Sequence, residues 1–203
     1  MSSPSKYEDI VSAIRDASDL SEELWNDPEC QSEVALLACG LTDSDMLETL
    51  AIHEAGHEIY YIRAGCEILG FGSPRIAYDE MKRNPFQRQA ARTIQGPNFE
   101  KQGEDWFEKL ARGYAAAGRC SALLSKLGFA GDSSDRENFE AIYLHCFPNC
   151  KAGDAVIEKV WLRAQDEVLN DLESDSFQKE IKERGRQILP ELFPWLRDPH
   201  TPV

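Results

Sequence analysis

Histidine is scarce in this 203-residue chain, with four copies, and basic charge is short as well: 22 Lys and Arg stand against 36 Asp and Glu, a formal net charge of −14. That balance argues against nucleic acid and anionic membrane surfaces as partners, because both reward basic patches. Long apolar runs are also missing. Nothing approaches the roughly 18 consecutive apolar residues of a membrane span, and the opening "MSSPSKYEDIVS" lacks the apolar core of a signal peptide. The protein is therefore expected to have no membrane span and to be cytoplasmic. Its six cysteines, Cys30, Cys39, Cys66, Cys120, Cys146 and Cys150, are too sparse for a disulfide scaffold and are expected as reduced thiols. "HCFPNC" at 145–150 has Cys-x3-Cys spacing with no second pair, unlike the usual zinc knuckle. No repeat, low-complexity block or clear linker appears.

What is present is the material for a helical core. Hydrophobic residues make up 42% of the chain, close to the soluble globular norm. Acidic charge concentrates early: residues 1–58 hold fourteen Asp and Glu against Lys6 and Arg15. We expect residues 1–40 to form an acidic helical extension packed on the domain, and residues 41–203 to form one mainly α domain. Its first helix starts near Thr42, where "LTDSDMLETL" offers N-cap candidates followed by first-turn acids, and runs to Ala64 with Gly65 as C′ residue. A second helix spans about 103–127. A third begins with Ser134 as N-cap and Asp135 as first helical residue, matched to Glu137 in a capping-box pattern, and ends before Pro148. A fourth, "DAVIEKVWLRAQDEVLNDL", shows Val156, Val160, Ala164 and Val168 on one stripe. A fifth covers about 176–188, before a proline-punctuated tail. Between 70 and 100 the helical period fades. A small β element is expected near residues 67–80, from "EILGFG" and "PRIAYD", with the rest as loop.

Two of the four histidines lie in "AIHEAGHEIYYIRAG", residues 51–65. On a helix, positions i and i+4 are about 40° apart around the axis and about 6 Å apart along it. His53 and His57 therefore project from one face and can share an ion. Zinc accepts imidazole nitrogen at about 2.0–2.1 Å in tetrahedral geometry. Glu54 is turned about 100° from His53, so it is placed as a general base toward a water rather than as the next ligand.

A catalytic zinc normally has three protein ligands. The metzincin pattern is excluded, since Arg63 stands where its third histidine would be and Tyr60 where its glycine would be. The residues alone leave the third ligand open among His145, His200 and Asp135. Asp135 also has an ordinary explanation as a first-turn acid favoured by the helix dipole.

"LAIHEAGHEI" resembles the zinc helix of the FtsH family of ATP-dependent metalloproteases, where Ala-x-His-Glu-Ala-Gly-His is characteristic. "AAAGRCSALL" resembles that family's Gly-Gly-Arg and Ala-Glu segment, and "GDSSDRENFEAI" its Gly-Ala-Ser-Asn-Asp segment. The three blocks keep the family's order over roughly residues 45–145. The resemblance implies His53, His57 and Asp135 as zinc ligands and Glu54 as general base, on an FtsH peptidase-like fold without the ATPase module. Ser121 and Ala122 replace the family's Ala-Glu, and the stretch at about 68–80 departs from its substrate-binding strand.

The expected function is that of a zinc metalloendopeptidase hydrolysing short or unfolded polypeptides. A separate ATPase partner would be needed for folded substrates. The alternative is a non-proteolytic, metal-stabilised binding or regulatory module that retains the fold. The 70–100 segment is the candidate for substrate contact.

Overall fold

The computed structural model describes residues 40–72, 91–96, 101–126 and 133–192. Most of the expected 1–40 extension and the "PRIAYD" strand lie outside them. The described residues are mainly helical, as expected. In chain order they form α1 (Asp43–Arg63), β1 (Glu67–Gly72), β2 (Ala91–Gln95), α2 (Glu104–Leu124), α3 (Ser133–Cys146), α4 (Ala155–Asp171) and α5 (Asp175–Leu192).

Helix α1 is the axis of the assembly. It packs against α2 on one side, α5 on another, and both strands near its C-terminal end; α2 in turn packs on α3 and α4. Its start is closed by a reciprocal capping box. The Thr42 hydroxyl accepts from the Asp45 backbone N–H at 3.2 Å, and the Asp45 carboxylate accepts from the Thr42 N–H at 2.9 Å. Lys126 adds an ion pair to Asp45 at 2.6 Å. The C-terminal end closes as the sequence suggests: Ala64 is the C-cap, and Gly65 follows at φ +79°, a conformation suited to glycine.

Every residue from Thr49 to Tyr61 is buried. A helix enclosed on all sides needs apolar residues all round, and Leu50, Ala51, Ile52, Ala55, Ile59 and Tyr60 supply them. One cluster joins these residues to Val168 and Leu172 of the α4 end and to Phe177, Ile181, Ile188 and Leu192 of α5. A second joins Tyr61 and Ala64 to Phe107 and Leu110 of α2, Phe139 and Tyr143 of α3, and Ile157 and Trp161 of α4. Glycines permit the close approaches. A Cβ at Gly56 would lie 3.1 Å from the Ala116 carbonyl, the Ala117 Cα and the Cys120 Sγ of α2.

Several expectations are corrected. Strand β1 is the expected "EILGFG", but it pairs antiparallel with a second strand at 91–95, in a stretch expected as loop. "ARTIQ" carries Thr93 and Ile94, β-branched residues suited to a pleated surface. The register shifts between Ile68 and Gly70, where Gly70 adopts φ +138° and Leu69 is left exposed, as in a β-bulge. Helix α3 already includes Ser133, so Ser134 lies within its first turn and is not the N-cap. In α4 the buried stripe is Ile157, Trp161, Ala164 and Val168, while Val156 is exposed. Trp161 carries more apolar surface than any one valine of that row, and it is buried where Val156 is exposed. Helix α5 continues through Pro190 to Leu192, because Ile188 and Leu192, one turn apart, are both fully buried.

Candidate metal centre

A fully enclosed helix must account for its polar side chains, since burying one without a partner costs free energy. On α1 these include Thr49, His53, Glu54, His57 and Glu58. Thr49 donates to the Asp45 carbonyl at 2.7 Å. Glu58 takes an ion pair from Arg184 of α5 at 2.6 Å, tying those helices together. His53, Glu54 and His57 gather at one place.

The structure brings His53, His57 and Asp135 together with one ligand atom each, all within 4.8 Å of one another. His53 Nε2 lies 3.6 Å from Asp135 Oδ2, and His57 Nε2 lies 3.3 Å from Asp135 Oδ1. A charge-assisted hydrogen bond would be about 2.7–2.9 Å. Ligands at about 2.0–2.2 Å from a tetrahedral ion instead stand about 3.3 Å apart. The rings of His53 and His57 meet edge to face with centroids 4.8 Å apart.

The orientation of His57 comes from α2. Its Nδ1 lies 2.8 Å from the Gly113 carbonyl oxygen. A carbonyl only accepts, so Nδ1 carries a hydrogen and Nε2 faces Asp135, where its lone pair is available to an ion once the ring is neutral. Gly113 is needed for the approach: a Cβ there would fall 2.3 Å from a ring carbon of Tyr61. That Tyr61 ring stacks on His57 at a centroid distance of 5.4 Å with planes 4° apart. Asp135 stands in the first turn of α3, and Phe139, one turn further on the same face, is buried against Tyr114 of α2 and Trp161 of α4. The Phe139 anchor fixes the approach of α3 and so aims Asp135 at α1.

The electrostatics favour positive charge here. Burial pushes the His57 imidazolium down, but the Asp135 carboxylate, helped by Glu54 and the Gly113 carbonyl, outweighs it and raises the group to about 9. Glu54 is fully buried, and its charge is felt at both His57 and Tyr61. Burial first, then Tyr114, Asp135 and Glu54, hold the Tyr61 phenol well above its ordinary value. The spot is built for a cation, whether a proton or a metal ion.

His145 lies in the last turn of α3 and belongs to no ligand group among the described residues; His200 lies outside them. Ser121 is buried, with its hydroxyl on the Ala117 carbonyl at 3.0 Å, so it closes the α2 backbone rather than supplying an acid. Cys66, Cys120, Cys146 and Cys150 are free thiols. Sequence reasoning missed Gly113, Tyr61 and Tyr114. The small residues of "RGYAAAG" signal a close helix approach, but nothing in them marks a particular carbonyl as the partner of His57.

No family model matches the chain, and comparison with curated proteins and with solved structures gives no match. No described helix is long and apolar enough to cross a membrane.

Proposed function

We propose that the protein is a zinc-dependent metallopeptidase, cytoplasmic and FtsH peptidase-like in fold, acting on short or already unfolded polypeptides. The observation that carries this is the convergence of His53, His57 and Asp135 at ligand-to-ligand distances, with the second nitrogen of His57 held by Gly113. Two imidazoles and one carboxylate are a donor set that zinc accepts, with one coordination position left for water or substrate. The donor chemistry fits the ion.

When bound, zinc supplies a Lewis acid that polarises a carbonyl and acidifies water. The chain's own residues do the rest. His53 and His57 donate lone pairs from consecutive turns of a rigid helix, and Asp135 neutralises part of the ion's charge. Glu54, beside His53 and shielded from solvent, accepts the proton of the attacking water and delivers it to the leaving nitrogen. No motor is part of this scheme, so a separate ATPase partner would have to unfold any stable substrate.

A second reading, a metal-stabilised binding or regulatory module, draws on the enclosure of the site. His53, Glu54 and His57 are each at most 5% exposed, and Asp135 is the most accessible member. Structural zinc sites are closed in this way, but they use four ligands.

The test is metal content followed by cleavage. Purified protein is expected to hold about one zinc per chain, lost in His57→Ala. Glu54→Gln should keep the metal and lose cleavage of a peptide library. Zinc uptake without cleavage of any unfolded substrate would select the binding module, and a chain without zinc affinity would sink both.

A further inference from the structure

Asp135 reaches the histidines from a helix that packs elsewhere. Helix α3 lies on α2 and α4 rather than along α1, so its distance from the α1 histidines depends on side chains that touch both helices. Tyr114 of α2 is such a side chain. Its ring meets His57 of α1 edge to face at 6.4 Å, and Tyr61, one turn further along α1, at 5.4 Å. It also meets Phe139 of α3 at 6.1 Å, and Phe139 lies one turn from Asp135.

The neighbours of this ring are themselves held. Phe139 is fully buried and also meets Trp161 of α4 at 6.0 Å and Tyr143 at 5.9 Å. Tyr61 is buried and stacks on His57 with planes 4° apart. All these separations fall within about 4.5–7 Å, where aromatic pairs are in contact. A series of touching rings therefore runs from His57 through Tyr114 to Phe139. It joins the helix that carries two of the proposed ligands to the helix that carries the third. Rings are rigid, and close-packed interiors transmit strain. With the series in place, His57 Nε2 and Asp135 Oδ1 stand 3.3 Å apart, close to the spacing of two ligands on a tetrahedral zinc ion.

We propose that Tyr114 is a positioning residue whose ring spaces α3 from α1, and so sizes the centre for zinc in preference to a larger divalent ion such as cadmium. The assignment rests on the metal-centre reading above. Sites with the same donors choose among metals by geometry. The ring acts by its volume and stiffness, so the phenol oxygen has no part in the spacing. A smaller or more flexible side chain at this position lets α3 shift. Asp135 then loses its fixed distance from the histidines, and the ligand set accepts a wider range of ions.

Zinc and cadmium affinities of the full chain are measured by competition with a chromophoric chelator, and the visible spectrum of the Co(II)-loaded chain reports ligand geometry. Tyr114→Phe keeps the ring and is expected to match the parent in all three. Tyr114→Leu is expected to bind zinc on the order of tenfold or more weakly, the loss typical of a residue that supports a metal ligand. It should lose less affinity for cadmium and show an altered Co(II) spectrum. Tyr114→Met carries the same expectation and takes its place should Tyr114→Leu not fold. Phe177→Leu, in the α5 cluster against Tyr60, is the control for general loosening. It should lower stability while the zinc-to-cadmium preference and the spectrum stay parental. An unchanged preference in the ringless variants would overturn the proposal. So would a Tyr114→Phe that behaves as Tyr114→Leu does, since the hydroxyl would then matter, or a Phe177→Leu that shifts the preference as far. A parent chain that takes up neither zinc nor Co(II) would refute the metal centre, and this assignment with it.

Discussion

Gly113→Ala places a single methyl at the contact between α1 and α2. In an exposed helix interior, alanine is favoured over glycine by about 1 kcal/mol, so local propensity predicts stabilisation. The site predicts the opposite. The new Cβ would stand 2.3 and 2.4 Å from two ring carbons of Tyr61. That ring cannot swing aside, because it is 3% exposed and held between His57 and Tyr114. Overpacking a filled core costs about 1–3 kcal/mol, so the variant should be less stable than its parent in urea, with an unchanged m-value. Relief of the clash by separating α1 from α2 lengthens the 2.8 Å contact between Gly113 and His57. Loss of such a partner behind a metal ligand typically lowers affinity by about 10- to 100-fold. Zinc affinity, read by competition with a chromophoric chelator, should fall within that range. The cause is isolated by a double-mutant cycle with Tyr61→Ala. With the ring removed, Gly113→Ala should become neutral or stabilising by up to about 1 kcal/mol, as helix propensity alone requires. If Gly113→Ala stabilises the protein while Tyr61 is still present, the account of this contact is wrong.

In the metal-free protein, the raised His57 should make stability depend on pH. Its folded value of about 9 lies above the ordinary 6.5. The contribution is therefore fully present below about pH 6.5 and is lost as pH rises through 9. At about 1.4 kcal/mol per tenfold change in proton affinity, it amounts to roughly 3 kcal/mol. Urea unfolding in EDTA at pH 6 and pH 9.5 measures it, and Asp135→Asn should remove most of the difference. An equal slope in Asp135→Asn would show that Asp135 is not its source. Arg184→Ala removes the ion pair from Arg184 to the buried Glu58 carboxylate, and is expected to cost about 2 kcal/mol or more. Thermal unfolding checks this, with Glu58→Gln/Arg184→Ala partly restoring the loss.

The legible parts of the sequence were those governed by local rules. Helix α1 announced both ends, through Thr42 with Asp45 and through Gly65, because capping depends on residues within one turn. The shared face of His53 and His57 followed from helical pitch alone. Asp135 did not. Its own surroundings suggested an ordinary first-turn acid, and only the resemblance of three ordered blocks set it beside the histidines, where the structure also places it. The misplaced features depend on tertiary contacts. The buried stripe of α4 includes Trp161 and leaves Val156 exposed, and α5 passes Pro190 because Leu192 has a core to enter. Strand β2 needed β1 as a partner before "ARTIQ" could be distinguished from loop. Gly113, Tyr61 and Tyr114 were illegible for the same reason: a backbone carbonyl and two phenols acquire their roles only when α2 lies against α1.

The burial of α1 from Thr49 to Tyr61 has a kinetic meaning. A stretch of helix with no solvent face has no local opening that would bare one side while the rest of the fold persists. Its backbone amides around His53 and His57 should exchange with deuterium only through global unfolding, at the slowest rates in the chain. A helix-borne site elsewhere can breathe independently of its scaffold. Here the two histidines ride on a stretch expected to open only with the fold around it.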